Sequence, residues 1–214
     1  MAIFIPRLHM GNIYNMLEYT SYNPYYPTYG MPNCVAYTFG RFNELNHEHA
    51  LNYKWPTGDG YQWFLQAPGK GLLTGSQPQL GATICWWYYQ RDDQGNPVLD
   101  PQGNVIPTGH TAIVEEIFYD SNGNWTHLTT SNSAWMDRPI GTPVEQFPYF
   151  YTRTIYRASI NSVPGHPEAY WQGFIYHPQF PPGGSPLDTA KLISALAAGN
   201  ERMQIKLYRK RRLI

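Results

Sequence analysis

The chain has two cysteines, and one of them stands where a cysteine becomes a nucleophile. Cys34 follows Pro32 and Asn33 and opens the run Val35-Ala36-Tyr37-Thr38-Phe39-Gly40-Arg41-Phe42-Asn43-Glu44-Leu45. Val35, Thr38, Phe39, Phe42 and Leu45 recur at helical spacing, and Asn33 is of the type that caps a helix N-terminus. Cys34 is therefore expected in the first turn, where unpaired backbone N–H groups and the positive end of the helix dipole favour thiolate over thiol. Such a nucleophile needs a base to take its proton and a third group to hold that base, both usually remote in sequence. The plainer option for the same residue is a small buried core side chain.

Two downstream segments supply the missing partners. Gly109-His110-Thr111-Ala112-Ile113-Val114-Glu115-Glu116-Ile117 reads as a strand led by a histidine, bounded by Gly109 and the turn Asp120-Ser121-Asn122-Gly123. Trp125 to Ser133 reads as the return strand of the same hairpin. His110 at one strand start and Asn132 on its neighbour would complete a Cys-His-Asn relay with Cys34. Alternation sends Ser131 and Ser133 to the strand face opposite Asn132, which makes them poorer candidates. Thiolate attack on an amide carbonyl creates an oxyanion, and the Cys34 N–H is placed to donate to it. For the second donor the candidate is the Asn33 side chain, with helix capping as an equal claim on the same amide. Cys85 falls within the apolar run Thr83 to Tyr89, a buried strand; a bond to Cys34 would consume the nucleophile, so no disulfide is expected.

Five segments, taken in order, resemble the CHAP domain of cysteine-dependent peptidoglycan hydrolases, in the form found in lysins of Gram-positive bacteriophages. They are Asn33-Cys34-Val35-Ala36-Tyr37 with Gly40-Arg41-Phe42-Asn43-Glu44, Gln79-Leu80-Gly81-Ala82-Thr83-Ile84-Cys85-Trp86, Gly109-His110-Thr111-Ala112-Ile113-Val114, Thr130-Ser131-Asn132-Ser133-Ala134-Trp135, and Gly173-Phe174-Ile175-Tyr176-His177-Pro178. The resemblance covers about residues 12–178. It implies an α+β, papain-like fold, with N-terminal helices packed on an antiparallel sheet. It also implies Cys34 as nucleophile, His110 as general base and then acid, and Asn132 in the third position, where many members carry Glu. An amide there can orient the imidazole but cannot offset imidazolium charge. Trp135 could cover the bond from His110 to Asn132, as an aromatic does in papain-like enzymes, or serve as a plain core tryptophan. The expected substrate is bacterial peptidoglycan, cut either at the N-acetylmuramoyl-L-alanine amide or in a peptide cross-bridge, with no cofactor. The expected enzyme is a phage lysin that acts through a Cys thioester and is associated with the virion tail; the alternatives are a free endolysin, or a catalytically silent CHAP-like module of a phage tail.

Composition bounds the rest. The 214 residues include 18 Tyr and 7 Trp against few charges, which suits a groove that stacks on sugars and packs against peptide stems. One catalytic domain is expected over 1–178, a Pro/Gly linker over 179–187, and a short helix with a basic end over 188–214. Residues 1–187 carry 8 Lys and Arg against 13 Asp and Glu, and 188–214 carry 7 against 2, so the zero net charge conceals an acidic body and a basic tail. That tail could dock on phage tail proteins, bind anionic wall polymer, or fold back on the body; nucleic acid has no motif support. With no signal peptide read at Met1-Ala2-Ile3-Phe4-Ile5-Pro6-Arg7 and no membrane span, the expected place is the virion tail, or the host cytoplasm before lysis.

Metal chemistry is not expected. The motifs Asp92-Asp93-Gln94-Gly95-Asn96, Asp100-Pro101-Gln102-Gly103-Asn104 and Asp120-Ser121-Asn122-Gly123-Asn124 lack the alternating ligands and distal Glu of a calcium loop and read as hairpin turns. The segment Ser21-Tyr22-Asn23-Pro24-Tyr25-Tyr26, where some CHAP enzymes bind calcium, carries no carboxylate. His47-Glu48-His49 lacks the i, i+4 spacing of a helical zinc pair. The stretch from Arg91 to Thr108 is longer than a hairpin needs and reads as an extra hairpin, either selecting substrate or inert.

Overall fold

The computed structural model describes residues 4–8, 16–46, 54–92, 94–134, 150–161, 169–178 and 180. Among these, three α-helices precede six strands: α1 Tyr26–Tyr29, α2 Cys34–Asn46, α3 Gly60–Gln66, β1 Thr74–Gly75, β2 Thr83–Tyr89, β3 Pro107–Tyr119, β4 Trp125–Asn132, β5 Tyr151–Tyr156 and β6 Tyr170–Ile175. The strands form a single sheet in the order β1-β6-β2-β3-β4-β5, and every pairing is antiparallel. This is the α+β arrangement expected, with helices on one face of an antiparallel sheet.

Helix α2 forms where the apolar period of 3.6 predicts it, and all five residues of the predicted face, Val35, Thr38, Phe39, Phe42 and Leu45, are buried. Val35, Phe39 and Phe42 pack with Trp63 of α3 and with Cys85, Ile113 and Ile175 of the sheet. The other face of the sheet carries a second core of Ile84, Trp86, Ala112, Val114, Leu128 and Phe174. Strand β2, buried on both sides, is therefore apolar at successive positions rather than alternating.

Strand β3 carries an irregularity beyond His110. Val114 pairs with Thr130 and Glu116 with Thr129, so Glu115 is an extra residue bulged out of the ladder. Its buried carboxylate accepts from Arg41 Nε at 3.0 Å, Arg41 Nη2 at 2.9 Å, Ser131 Oγ at 2.6 Å and the Arg7 N–H at 2.8 Å. Ser131 thus lies on the face opposite Asn132, as alternation predicts.

The three Asp-Gly-Asn motifs are turns of one design. In each, the Asp Oδ1 accepts the N–H groups two and four residues on, at 2.8–2.9 Å, while the Gly takes a φ of 78–84°. The backbone donors, that of Asn96 first for Asp92, hold these carboxyls below their ordinary value. Two of the turns fall in the 91–108 stretch, which is not one hairpin but a small meander. Val98 N donates to Gln90 O and Ile106 N to Val98 O, with bridges Arg91 to Pro97 and Leu99 to Val105. The strand that carries His110 consequently starts at Pro107, earlier than Gly109.

Phe180 packs edge-on against Phe4, with ring centroids 5.7 Å apart. The rest of the linker, residues 188–214 and His47-Glu48-His49 lie outside the described residues.

Candidate functional site

Asn33 caps α2: its side-chain oxygen accepts the N–H of Val35 at 2.9 Å and of Ala36 at 3.0 Å. These bonds use Oδ1 and leave the amide nitrogen out of the cap. They also pass over the N–H of Cys34, the first helical residue. The helix start is tied to β3 by hydroxyls that sequence reading overlooked. Thr111 Oγ1 donates to the Cys34 carbonyl at 3.2 Å and lies 2.9 Å from Thr38 Oγ1 one turn along α2. Cys34 is thereby joined to the residue that follows His110.

The sulfur does not meet the environment that the helix dipole alone predicts. Burial pushes the Cys34 thiol up from its ordinary value; backbone and side-chain hydrogen bonds from Thr111, and the Val35 N–H, pull it down without overcoming that, and the nearby Asp59 carboxylate adds to the rise. Cys34 is nonetheless only partly covered, whereas Cys85 beneath it is fully buried, and both are free thiols. Burial drives the Cys85 thiol far above the ordinary range.

His110 enters from β3 and is 2% exposed, so what it can do is set by what surrounds it. The register of β2 and β3 sets it opposite Trp86, with ring centroids 6.1 Å apart. Its Nε2 lies 3.1 Å from Oδ1 of Asn132, which is fully buried at the end of β4. The Asn132 amide is itself oriented: its nitrogen donates to the Thr130 carbonyl at 3.1 Å and to Thr130 Oγ1 at 2.9 Å. With the nitrogen so engaged, the oxygen faces His110, and an amide oxygen only accepts. His110 therefore donates from Nε2, which leaves Nδ1 as its basic nitrogen.

Of the residues picked from sequence, His110 and Asn132 meet directly, Cys34 is tied to the neighbouring Thr111, and Asn33 caps the helix that presents it. Trp135 lies outside the described residues. Thr111 and Thr130 were missed. Thr130 was within reach of the alternation argument, since it shares a strand face with Asn132 two residues on. Among the described residues no group of three or more His, Cys, Asp or Glu is arranged to hold a metal ion. Nor is any described helix long and apolar enough to cross a membrane.

No curated protein sequence matches the chain. Among solved structures, it is similar to an N-acetylmuramoyl-L-alanine amidase from Staphylococcus aureus at 20% identity and a TM-score of 0.34, over 68% of this chain and 33% of that one. The chain thus spans about a third of that structure's length, a likeness too slight to bear on function. The family model of the CHAP domain matches residues 22–133, just over half of the 214 residues, and that span includes the helix of Cys34, the strand of His110 and Asn132. The chain belongs to the CHAP domain family.

Proposed function

We propose that the protein is a peptidoglycan hydrolase that cuts an amide or peptide bond through a thioester on Cys34. CHAP membership supports the substrate class. The observation that carries the mechanism is the 3.1 Å contact between His110 Nε2 and Asn132 Oδ1, on the strand whose next residue, Thr111, holds the Cys34 helix. In this reading His110 Nδ1 takes the thiol proton as sulfur attacks the scissile carbonyl. The oxyanion is met by the Cys34 N–H, with the Asn33 amide nitrogen as the second donor. Collapse expels the amine, which receives the proton from His110, and water then hydrolyses the thioester by the same exchange in reverse. A thiol raised by burial is neutral at rest, so the base is needed at the moment of attack.

The finer reading, a bacteriophage lysin carried with the virion and docked through residues 188–214, rests on the resemblance of the five segments and on the opposite charges of body and tail. The test is digestion of purified walls with mass spectrometry of the released muropeptides. Free L-alanine amino termini mark an amidase; cleaved cross-bridges mark an endopeptidase. Cys34→Ala should release neither while Cys85→Ala remains active, and lysis by Cys34→Ala at the original rate would sink the mechanism.

A further inference from the structure

The amide of Asn132 can orient an imidazole only if the amide is itself fixed, because its two ends are nearly equal in shape and opposite in polarity. An Asn turned end for end would aim its NH2 at His110, and the ring would then have to accept at Nε2 and carry its proton on Nδ1. That tautomer has no lone pair at Nδ1 to receive a proton from a thiol. Something must therefore choose between the two orientations of the amide.

The choice traces back to two backbone carbonyls. Thr130 Oγ1 donates to the carbonyl of Arg153 on β5 at 3.2 Å, and Asn132 Nδ2 donates to that same hydroxyl oxygen at 2.9 Å. A carbonyl has no proton to give, so the Thr130 hydroxyl spends its single proton on Arg153 and presents a lone pair to Asn132. The Thr130 carbonyl, 3.1 Å from Asn132 Nδ2, makes the same demand. The polarity runs one way from the β4–β5 ladder to the imidazole. Thr130, Asn132 and His110 are all buried, at 0%, 0% and 2% exposure, so a donor or acceptor left without its partner among them is costly.

From this chain we infer that Thr130 is a positioning residue of the site: its hydroxyl locks the Asn132 amide and thereby fixes His110 as the tautomer protonated on Nε2. The inference rests on the reading of His110 as the base, and it adds a residue that touches neither thiol nor substrate.

Three full-length variants test it. The ring nitrogens of His110 are read by long-range proton–nitrogen correlation in histidine-labelled protein, with the signal assigned by its loss in His110→Gln, and kcat and KM are measured on solubilised peptidoglycan fragments. The original protein should show the proton on Nε2. Thr130→Val, which replaces the hydroxyl by a methyl of similar size, should mix or reverse the tautomers and lower kcat by roughly tenfold or more with KM within about twofold. Thr130→Ser, which keeps the hydroxyl, should retain the tautomer and most of the rate. If valine does not fold, Thr130→Ala carries the same expectation. A proton on Nδ1 of His110 in the original protein overturns the proposal, and so does a valine or alanine variant with unchanged tautomer and kcat. Hydrolysis by Cys34→Ala would defeat the thioester reading while leaving the tautomer measurement intact, so the two failures are told apart.

Discussion

Cys34 is pulled in two directions. The helix start and the donors from Thr111 and Val35 favour a thiolate, yet burial outweighs them and leaves the thiol above its ordinary value of 9.0. Since the thiolate is the reactive form, alkylation of Cys34 by iodoacetamide should be slow at neutral pH and still be rising as pH passes about 9. Thr111→Val, which loses the side-chain contribution that helps to hold this thiol down, should shift that rise to higher pH. A rate already at its plateau at pH 7 would show instead that the resting site holds a thiolate. The neutral thiol also ranks the other two residues. In the proposed mechanism His110 is the one base, so His110→Ala should cost as much activity as Cys34→Ala. Asn132→Ala removes only the orienting group and should lower kcat by roughly 10- to 100-fold. Equal and complete loss in both folded variants would mean that the third residue does more than orient.

At the scale of elements, the candidate site draws on one helix start and two strand positions, and its tolerance is set by how closely backbones approach. The first turn of α3 lies directly on β3: a Cβ built on Gly60 would sit 3.0 Å from the backbone of Gly109. A Cβ on Gly109 would run into the carbonyl oxygen of Trp86 and the backbone of Tyr61. Gly109→Ala must therefore lift α3 or move the strand beside His110. It should destabilise the protein by roughly 1–3 kcal/mol, read from denaturant midpoints, and should lower kcat in the fraction that remains folded. Unchanged stability and rate would show that α3 gives way freely. Helix α2 and strands β2, β3 and β4 were legible in the sequence because their apolar periods are long and sit beside recognisable caps and turns. The bulge at Glu115 was not, since the residues at 115 and 116 are both glutamates and only tertiary pairing says which one leaves the ladder. Nor were the threonine contacts, because Thr38, Thr111 and Thr130 suit a strand or helix interior equally well as packing or as hydrogen-bonding residues. The 91–106 meander was half legible: its turn residues were plain, while the pairing of Val98 with both neighbours depends on chain that the turns bring back.

For the molecule as a whole, segments far apart in the chain are held together by buried polar contacts that depend on protonation. The N-terminal segment is pinned through Arg7, whose guanidinium meets Glu44 at 2.6 Å, and through the Arg41 Nη2 bond to the Ile5 carbonyl at 2.6 Å. Burial works to raise the Glu44 carboxyl, but Arg41 and Arg7 beside it hold it below its ordinary value. The C-terminal end of the described body is pinned by His177, whose Nε2 donates to the Phe42 carbonyl at 3.0 Å and whose ring stacks on Phe42 at 4.1 Å. Burial, with the charge of Arg41 adding to it, pushes the His177 imidazole down from 6.5 to about 4. A histidine harder to protonate when folded than when unfolded contributes stability that is full above the unfolded value of 6.5 and is lost as pH falls toward 4. Each tenfold drop in proton affinity is worth about 1.4 kcal/mol, so the loss across that window is on the order of 3 kcal/mol. His177→Gln offers an amide N–H to the same carbonyl without titrating, but it forfeits the ring stacking. The variant should therefore melt below the original protein at pH 8, and the gap in Tm should narrow steadily between pH 6.5 and 4. Parallel curves for the two proteins across that window would show that His177 gains its proton in the folded state at no cost, and that acid sensitivity in this range arises elsewhere.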